Sequence, residues 1–139
     1  MVERIKNGNP TRERFVAFLD IMGFKYKLQT EGHEKILKMF DSLRPTFDRV
    51  KDFSQWMSKN KRPKVKLIKF SDSIILVSDD DSKYSFEWTL FDTQFILYNA
   101  LINGIPIKGA IAFGTQTDDF KSSFHFGQPL LTLLNYRRS

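Results

Sequence analysis

The 139-residue chain contains no cysteine. That absence removes disulfides, thiolate zinc sites and thiol nucleophiles together. Histidine is nearly as scarce, with only His33 and His125, too few for a histidine-rich metal centre. No apolar run approaches the roughly 20 residues of a membrane span, so no membrane partner is expected. Met1 to Arg14 is polar and charged and lacks the apolar centre of a secretory leader. No linker, repeat or low-complexity segment divides the chain. The expectation is one soluble, cytoplasmic domain over residues 1–139, with 1–12 as a loose arm.

What is abundant is aromatic and basic. Aromatics make up 14% of the chain, carried mostly by 14 Phe, and that much ring surface calls for a core. The net charge of +6 is uneven: residues 1–66 hold 16 Lys+Arg against 8 Asp+Glu, and residues 67–139 hold 6 against 8. A basic half attracts polyanions such as nucleotide phosphates, nucleic acid or an acidic surface, unless it is only a solvated helix face.

Arg14 to Leu19 reads as a strand covered on both faces. It runs into Asp20-Ile-Met-Gly23-Phe24, a carboxylate and a glycine where a strand turns into a helix. Residues 31–59 have helical spacing, with Ile36, Phe40, Leu43, Phe47, Val50 and Met57 on one side. Pro45, lacking an amide hydrogen, predicts a kink or break there. Residues 64–70 and 74–77 form a hairpin through Ser71-Asp72-Ser73. Asp79-Asp80-Asp81-Ser82 offers N-caps to a helix whose stripe of Tyr84, Trp88, Phe91, Phe95, Tyr98 and Ile102 reads as core. Gly104 closes that helix. A strand over 105–113, a turn at Asp118-Asp119, a strand over 122–126 and a helix over 127–136 complete the order β-α-α-β-β-α-β-β-α. The fold class is α+β. The plan is a ferredoxin-like split βαβ, an antiparallel sheet with helices on one face.

Two carboxylates stand out by position. Asp20 ends the most buried strand, and Asp72 tips a hairpin that this plan sets beside it. Paired carboxylates with a backbone carbonyl make an all-oxygen site suited to Mg²⁺ or Mn²⁺, with positions left for phosphate oxygens. Met22, Gly23 and Phe24 open a helix whose first amides attract a triphosphate. Singly, Asp20 reads more readily as a helix cap and Asp72 as a turn residue than either does as a metal ligand. Their pairing on neighbouring strands is what favours a metal site.

The segments Phe18-Leu-Asp-Ile-Met-Gly-Phe24, Lys69-Phe-Ser-Asp-Ser-Ile-Ile75, Gly104-Ile-Pro-Ile-Lys-Gly-Ala-Ile-Ala-Phe-Gly114 and Phe126-Gly-Gln-Pro-Leu130 carry a resemblance. Together they resemble the class III nucleotidyl cyclase catalytic domain, nearest to the small bacterial pyrimidine cyclases of the Pycsar anti-phage systems. The resemblance runs from about Arg14 to Leu130. It implies that Asp20 and Asp72, with the Ile21 carbonyl, bind two Mg²⁺ or Mn²⁺ ions. It further implies that Met22, Gly23 and Phe24 hold the phosphates of a nucleoside triphosphate, with Lys69 beside the substrate. The implied reaction is attack of the ribose 3′-oxygen on the α-phosphorus with loss of pyrophosphate, in a head-to-tail homodimer. Purine cyclases carry a base-reading Lys and a base-reading acid at positions occupied here by Ile68 and Phe124, which points to UTP or CTP. The Asn and Arg that stabilise the transition state in adenylate cyclases correspond to Leu131 and Asn135, so residues 130–139 read as an atypical, truncated end. Arg137 or Arg138 is a candidate substitute cation.

Two further classes compete. A catalytically decayed binding or dimerisation module keeps the turn and loses the chemistry. An RNA-recognition domain shares the strand order, but Lys69 to Ile75 sets an acid where backbone phosphates would pass, so nucleic acid is disfavoured. His125, His33 and Lys108 read as bystanders, and Asp79-Asp80-Asp81 as a helix start. The Leu130-Leu131-Leu133-Leu134 cluster needs a cover, which a second copy would supply.

Overall fold

The computed structural model describes residues 9–138. The elements are β1 (Thr11–Ile21), α1 (Phe24–Glu31), α2 (His33–Lys59), β2 (Val65–Phe70), β3 (Ser73–Ser78), α3 (Lys83–Ile102), β4 (Ile107–Asp119), β5 (Phe124–Gly127) and α4 (Gln128–Arg138). This is the order expected from the sequence, in an α+β fold. The loose arm falls largely on residues 1–8, outside the described residues, and the chain is already in β1 by Thr11. The strand β4 reaches Asp119, so Asp118-Asp119 is strand rather than turn.

The sheet has the order β2-β3-β1-β4-β5 with every neighbouring pair antiparallel. Its centre is β1, whose Val16 to Ile21 are buried on both faces, as the unbroken apolar run requires. Alternation splits that run. Ala17, Leu19 and Ile21 join Leu43, Phe47 and Val50 of α2 and Ile96 and Ala100 of α3 in the larger core. Val16 and Phe18 turn the other way and meet Leu133 of α4, with Leu130 and Leu134 packed alongside. Each fully buried aliphatic side chain contributes about 1.5–3 kcal/mol.

Three sequence expectations need correction here. The helices do not share one face: α2 and α3 cover one side of the sheet, and α4 covers the other. The leucine cluster therefore finds most of its cover within the chain, with Leu131 alone of the four exposed. Second, α2 runs unbroken through Pro45 for 27 residues. Third, the aromatic stripe of α3 is core only in part: Trp88 and Phe95 are half-buried against the larger core, while Phe91, Tyr98 and Ile102 are exposed. The buried residues of α3 are Ser85, Thr89, Asp92, Thr93, Ile96 and Ala100, mostly small, which lets the helix approach the strands closely. Thr89 and Thr93 return their hydroxyls to the carbonyls of Ser85 and Thr89 at 2.7 Å, so they bury no unpaired hydroxyl. The rings lie to the side instead, where Phe53 of α2 meets Trp88, Phe91 and Phe95 at centroid distances of 5.7, 5.9 and 6.2 Å. No described helix is long and apolar enough to cross a membrane.

Candidate functional site

Strand register decides which side chains share a face. Phe70 of β2 pairs with Ser73 of β3, Ser73 with Asp20 of β1, and Asp20 with Lys108 of β4. Paired residues of an antiparallel sheet project to the same side. The four therefore form one row across four strands, on the α4 face, where β1 runs out. An exposed ring, a buried hydroxyl, a buried carboxylate and an ammonium follow one another across the sheet. The next row inward, Ile68, Ile75, Phe18 and Ala110, is wholly apolar. Tyr136 of α4 closes the row on one side, its ring centroid 5.5 Å from Lys108 Nζ.

The backbone brings the second carboxylate to the same corner. Ile21 N–H donates to the Asp72 carbonyl at 3.0 Å, and Met22 N–H donates to the Pro106 carbonyl at 2.8 Å. The end of β1 is thus tied to the tip of the β2–β3 hairpin on one side and to the entrance of β4 on the other. The hairpin turns tightly on Ser71, which adopts φ 54°, a left-handed conformation common in such turns. Asp20, Ile21 and Asp72, expected as a ligand set, therefore lie at one corner. Their donors, two carboxylates and a carbonyl, have the hard-oxygen chemistry that Mg²⁺ or Mn²⁺ requires. Among the described residues no group of three or more His, Asp or Glu is gathered so as to hold a metal ion, at this corner or elsewhere.

At the same corner begins α1. Gly23 precedes it with φ 69° and ψ 20°, and nothing lies within 4 Å of where a Cβ would stand. A glycine is needed for that conformation, and it leaves the approach to the helix open. No side chain caps α1, so its first amides can accept an anion as their partner. The Phe24 side chain anchors the turn by packing on Phe40, 6.0 Å between centroids. One expected amide drops out, because that of Met22 is committed to Pro106.

Lys69 is not brought to this corner. It pairs with Ile74, which pairs with Leu19, so it projects to the opposite face. Its Nζ lies 4.6 Å from the ring centroid of Phe47 on α2. Burial, with Lys51 nearby, lowers its pKa below the usual lysine value. The residues of β2 that do share the face of Asp20 are Phe70, Ile68 and, farthest from the corner, Lys66. Sequence reading missed Phe70, although its alternation with Lys69 beside a turn was the available signal. Phe70 is 78% exposed, a ring held out where it supports nothing in the core.

The other candidates lie elsewhere. His125 Nδ1 is 2.9 Å from Asp118 Oδ1, and Arg14 Nε is 3.5 Å from Asp118 Oδ2. Asp118 lies ten residues beyond Lys108, about 33 Å along β4 at ~3.3 Å per residue. This second polar centre fastens β5 and the start of β1. Asp80 Oδ1 accepts from Ser82 N–H and from the hydroxyls of Ser82 and Ser85, while Ser82 Oγ accepts from Ser85 N–H, so the acidic run is a helix start. His33 is exposed at the start of α2. The side chains of Arg137 and Arg138 lie outside the described residues. A cavity of about 420 Å³ between α1, α2 and the turn before β4 is lined by Lys27, Lys35, Lys38, Ile36, Met39 and Gly104, among others.

Sequence comparison adds no assignment to this geometry: no protein-family model matches the chain, and no curated protein matches it.

Proposed function

We propose that the chain is a metal-dependent nucleotide cyclase domain acting on a pyrimidine nucleoside triphosphate. The observation that carries the reading is the corner where Asp20, the Ile21 carbonyl and Asp72 meet the uncapped start of α1. Support also comes from the five-stranded antiparallel sheet, whose four strands β2-β3-β1-β4 are compatible with a ferredoxin-like split βαβ plan. In this reading Asp20 and Asp72 hold two divalent ions, which when bound neutralise charge on the attacking and departing oxygens. The amides of Gly23 and Phe24 bind the phosphates. The ribose 3′-hydroxyl gives up its proton to water and its oxygen bonds to the α-phosphorus, the bond from that phosphorus to the bridging oxygen breaks, and pyrophosphate leaves with the electron pair. Ile68, on the face of Asp20, gives no hydrogen bond to a purine edge, and Phe70 offers a stacking platform to the base.

The reading is tested by substitution. Asp20→Asn and Asp72→Asn are each expected to reduce pyrophosphate release to background while the circular dichroism spectrum stays that of the parent. Full release by the double variant would exclude the site. Phe70→Ala is expected to weaken nucleotide binding by about 1–3 kcal/mol, roughly 5- to 150-fold. Calorimetry with Mn²⁺ and UTP measures it, and an unchanged affinity would remove Phe70 from the site.

A second reading is a nucleotide-binding module without turnover. Leu131, at a position where the family carries a transition-state residue, is 57% exposed on α4 and can donate no hydrogen bond. This reading predicts triphosphate binding with no pyrophosphate released.

A further inference from the structure

None of the lysines that make residues 1–66 basic lies in the row of Asp20. Three of them gather elsewhere. Lys27 of α1 and Lys35 and Lys38 of α2 line the cavity of about 420 Å³ between α1, α2 and the turn before β4. That volume lies within the roughly 300–1,000 Å³ of small-molecule sites. The floor is apolar: Ile36 and Ile105 are 7% and 4% exposed, and Met39 is half-buried.

The charge around this floor is not compensated within the described residues. Lys35 and Lys38 stand three residues apart on one helix, where like charges repel, and Lys27 adds a third ammonium from α1. Glu31 is the one acid among the lining residues, and no ion pair joins it to any of the three lysines. A solvated helix face spreads its lysines over its outer side. Here they converge from two helices on one apolar hollow, which fits a ring or short carbon chain carrying a phosphate dianion.

The element between this cavity and the turn at Gly23 is weakly held. The helix α1 spans 8 residues, none of them buried, and no side chain caps it. That is shorter than a helix needs to be stable alone, and a segment with so little buried opens at low cost. Its first residue follows Gly23, whereas Lys27 and Glu31 stand on its later turns. The opposite wall leads to the same corner: Ile105 N–H donates to the Ala100 carbonyl, and the carbonyl of the next residue, Pro106, accepts from Met22 N–H, both at 2.8 Å.

We propose that this cavity binds a small organic phosphate and that its occupant holds α1 in place. The phosphoryl oxygens meet the ammoniums of Lys27, Lys35 and Lys38, and the carbon body lies over Ile36 and Ile105. Bridging α1 to α2 in this way fixes the helix whose start forms the turn at Gly23. The binding is independent of the chemistry proposed for that turn.

The probe is phenyl phosphate, a ring bearing a dianion, titrated into the full chain without metal ions and followed by NMR. The amides of Lys35, Ile36 and Ile105 are expected to shift to saturation, and hydrogen exchange at Lys27 to Glu31 to slow as the site fills. Inorganic phosphate, lacking the ring, is expected to bind more weakly. Lys35 and Lys38 are exposed, so Lys35→Gln with Lys38→Gln is expected to keep the parent's circular dichroism spectrum while weakening phenyl phosphate binding about tenfold. No saturable shift at these amides, or equal affinity in the double variant, would overturn the site. Saturable binding that leaves exchange at Lys27 to Glu31 unchanged would overturn the hold on α1.

Discussion

Replacing Asp118 by alanine is expected to cost about 3–5 kcal/mol of folding stability, lowering the melting temperature by roughly 10–20 °C. The Asp118 side chain is fully buried and that of Arg14 is 7% exposed, with Nε 3.5 Å from Oδ2. Arg14 also donates to the carbonyls of Ser78 and Pro10 at 2.9 Å, which hold the guanidinium in place but carry no full charge. Burial already lowers the Arg14 pKa, against the Asp118 and Asp79 charges that raise it. Removing Asp118 leaves a buried cation with carbonyl dipoles and the weaker attraction of Asp79, and it frees His125 and the Gln116 amide that also contact the carboxylate. The control is Arg14→Met combined with Asp118→Leu. Removing both charges is expected to recover most of the loss, since an apolar pair avoids the desolvation of two ions. Chemical denaturation of the parent, Arg14→Met, Asp118→Leu and the double variant measures the coupling. A loss below 1 kcal/mol in Asp118→Ala would mean that the pair contributes little.

The second large effect concerns Asp92, which is 1% exposed on the sheet-facing side of α3. Neither of its carboxyl oxygens has a hydrogen-bond partner among the described residues. Burial raises its pKa from the ordinary 3.8 to about 7. The folded state therefore keeps a proton that the unfolded chain gives up as the pH passes 3.8. The stability associated with that proton is fully present below pH 3.8, declines as the pH rises toward about 7, and is gone above it. At about 1.4 kcal/mol per pH unit the loss sums to about 4 kcal/mol. Asp92→Asn, nearly isosteric with the protonated acid, is expected to flatten this dependence and to be more stable than the parent at pH 8 by up to that amount. Parallel denaturation curves for parent and variant from pH 4 to 8 would contradict the account.

Much of this was legible in the sequence because it depends on local patterning. The unbroken run from Phe15 to Leu19 announced a central strand, and the helical spacing from Ile36 to Met57 announced the buried side of α2. Asp20 and Asp72 could be paired in advance because strand order sets the end of β1 beside the hairpin tip. What was not legible depends on which way a face turns. The aromatic stripe on α3 has the spacing of a core, yet small residues are needed where a helix lies close on a sheet, so the rings pack sideways on Phe53. The leucines of α4 looked like a surface in need of a partner because nothing in their spacing says that Val16 and Phe18 need cover on the second face. Lys69 and Phe70 differ by one position, and a strand period of two sends neighbours to opposite faces. Choosing Lys69 followed the resemblance, whereas the register selects Phe70.

The central claim, that the corner at Asp20 and Asp72 performs chemistry on a nucleoside triphosphate, is tested most directly by product analysis. The protein is incubated with Mn²⁺ and each of the four ribonucleoside triphosphates, and the products are identified by mass spectrometry. The account predicts a 3′,5′-cyclic monophosphate from UTP or CTP, with one pyrophosphate released per cyclic product and none from the Asp20→Asn variant. Unchanged triphosphate in all four reactions, with binding still visible by calorimetry, would contradict the enzyme and leave a nucleotide-binding fold.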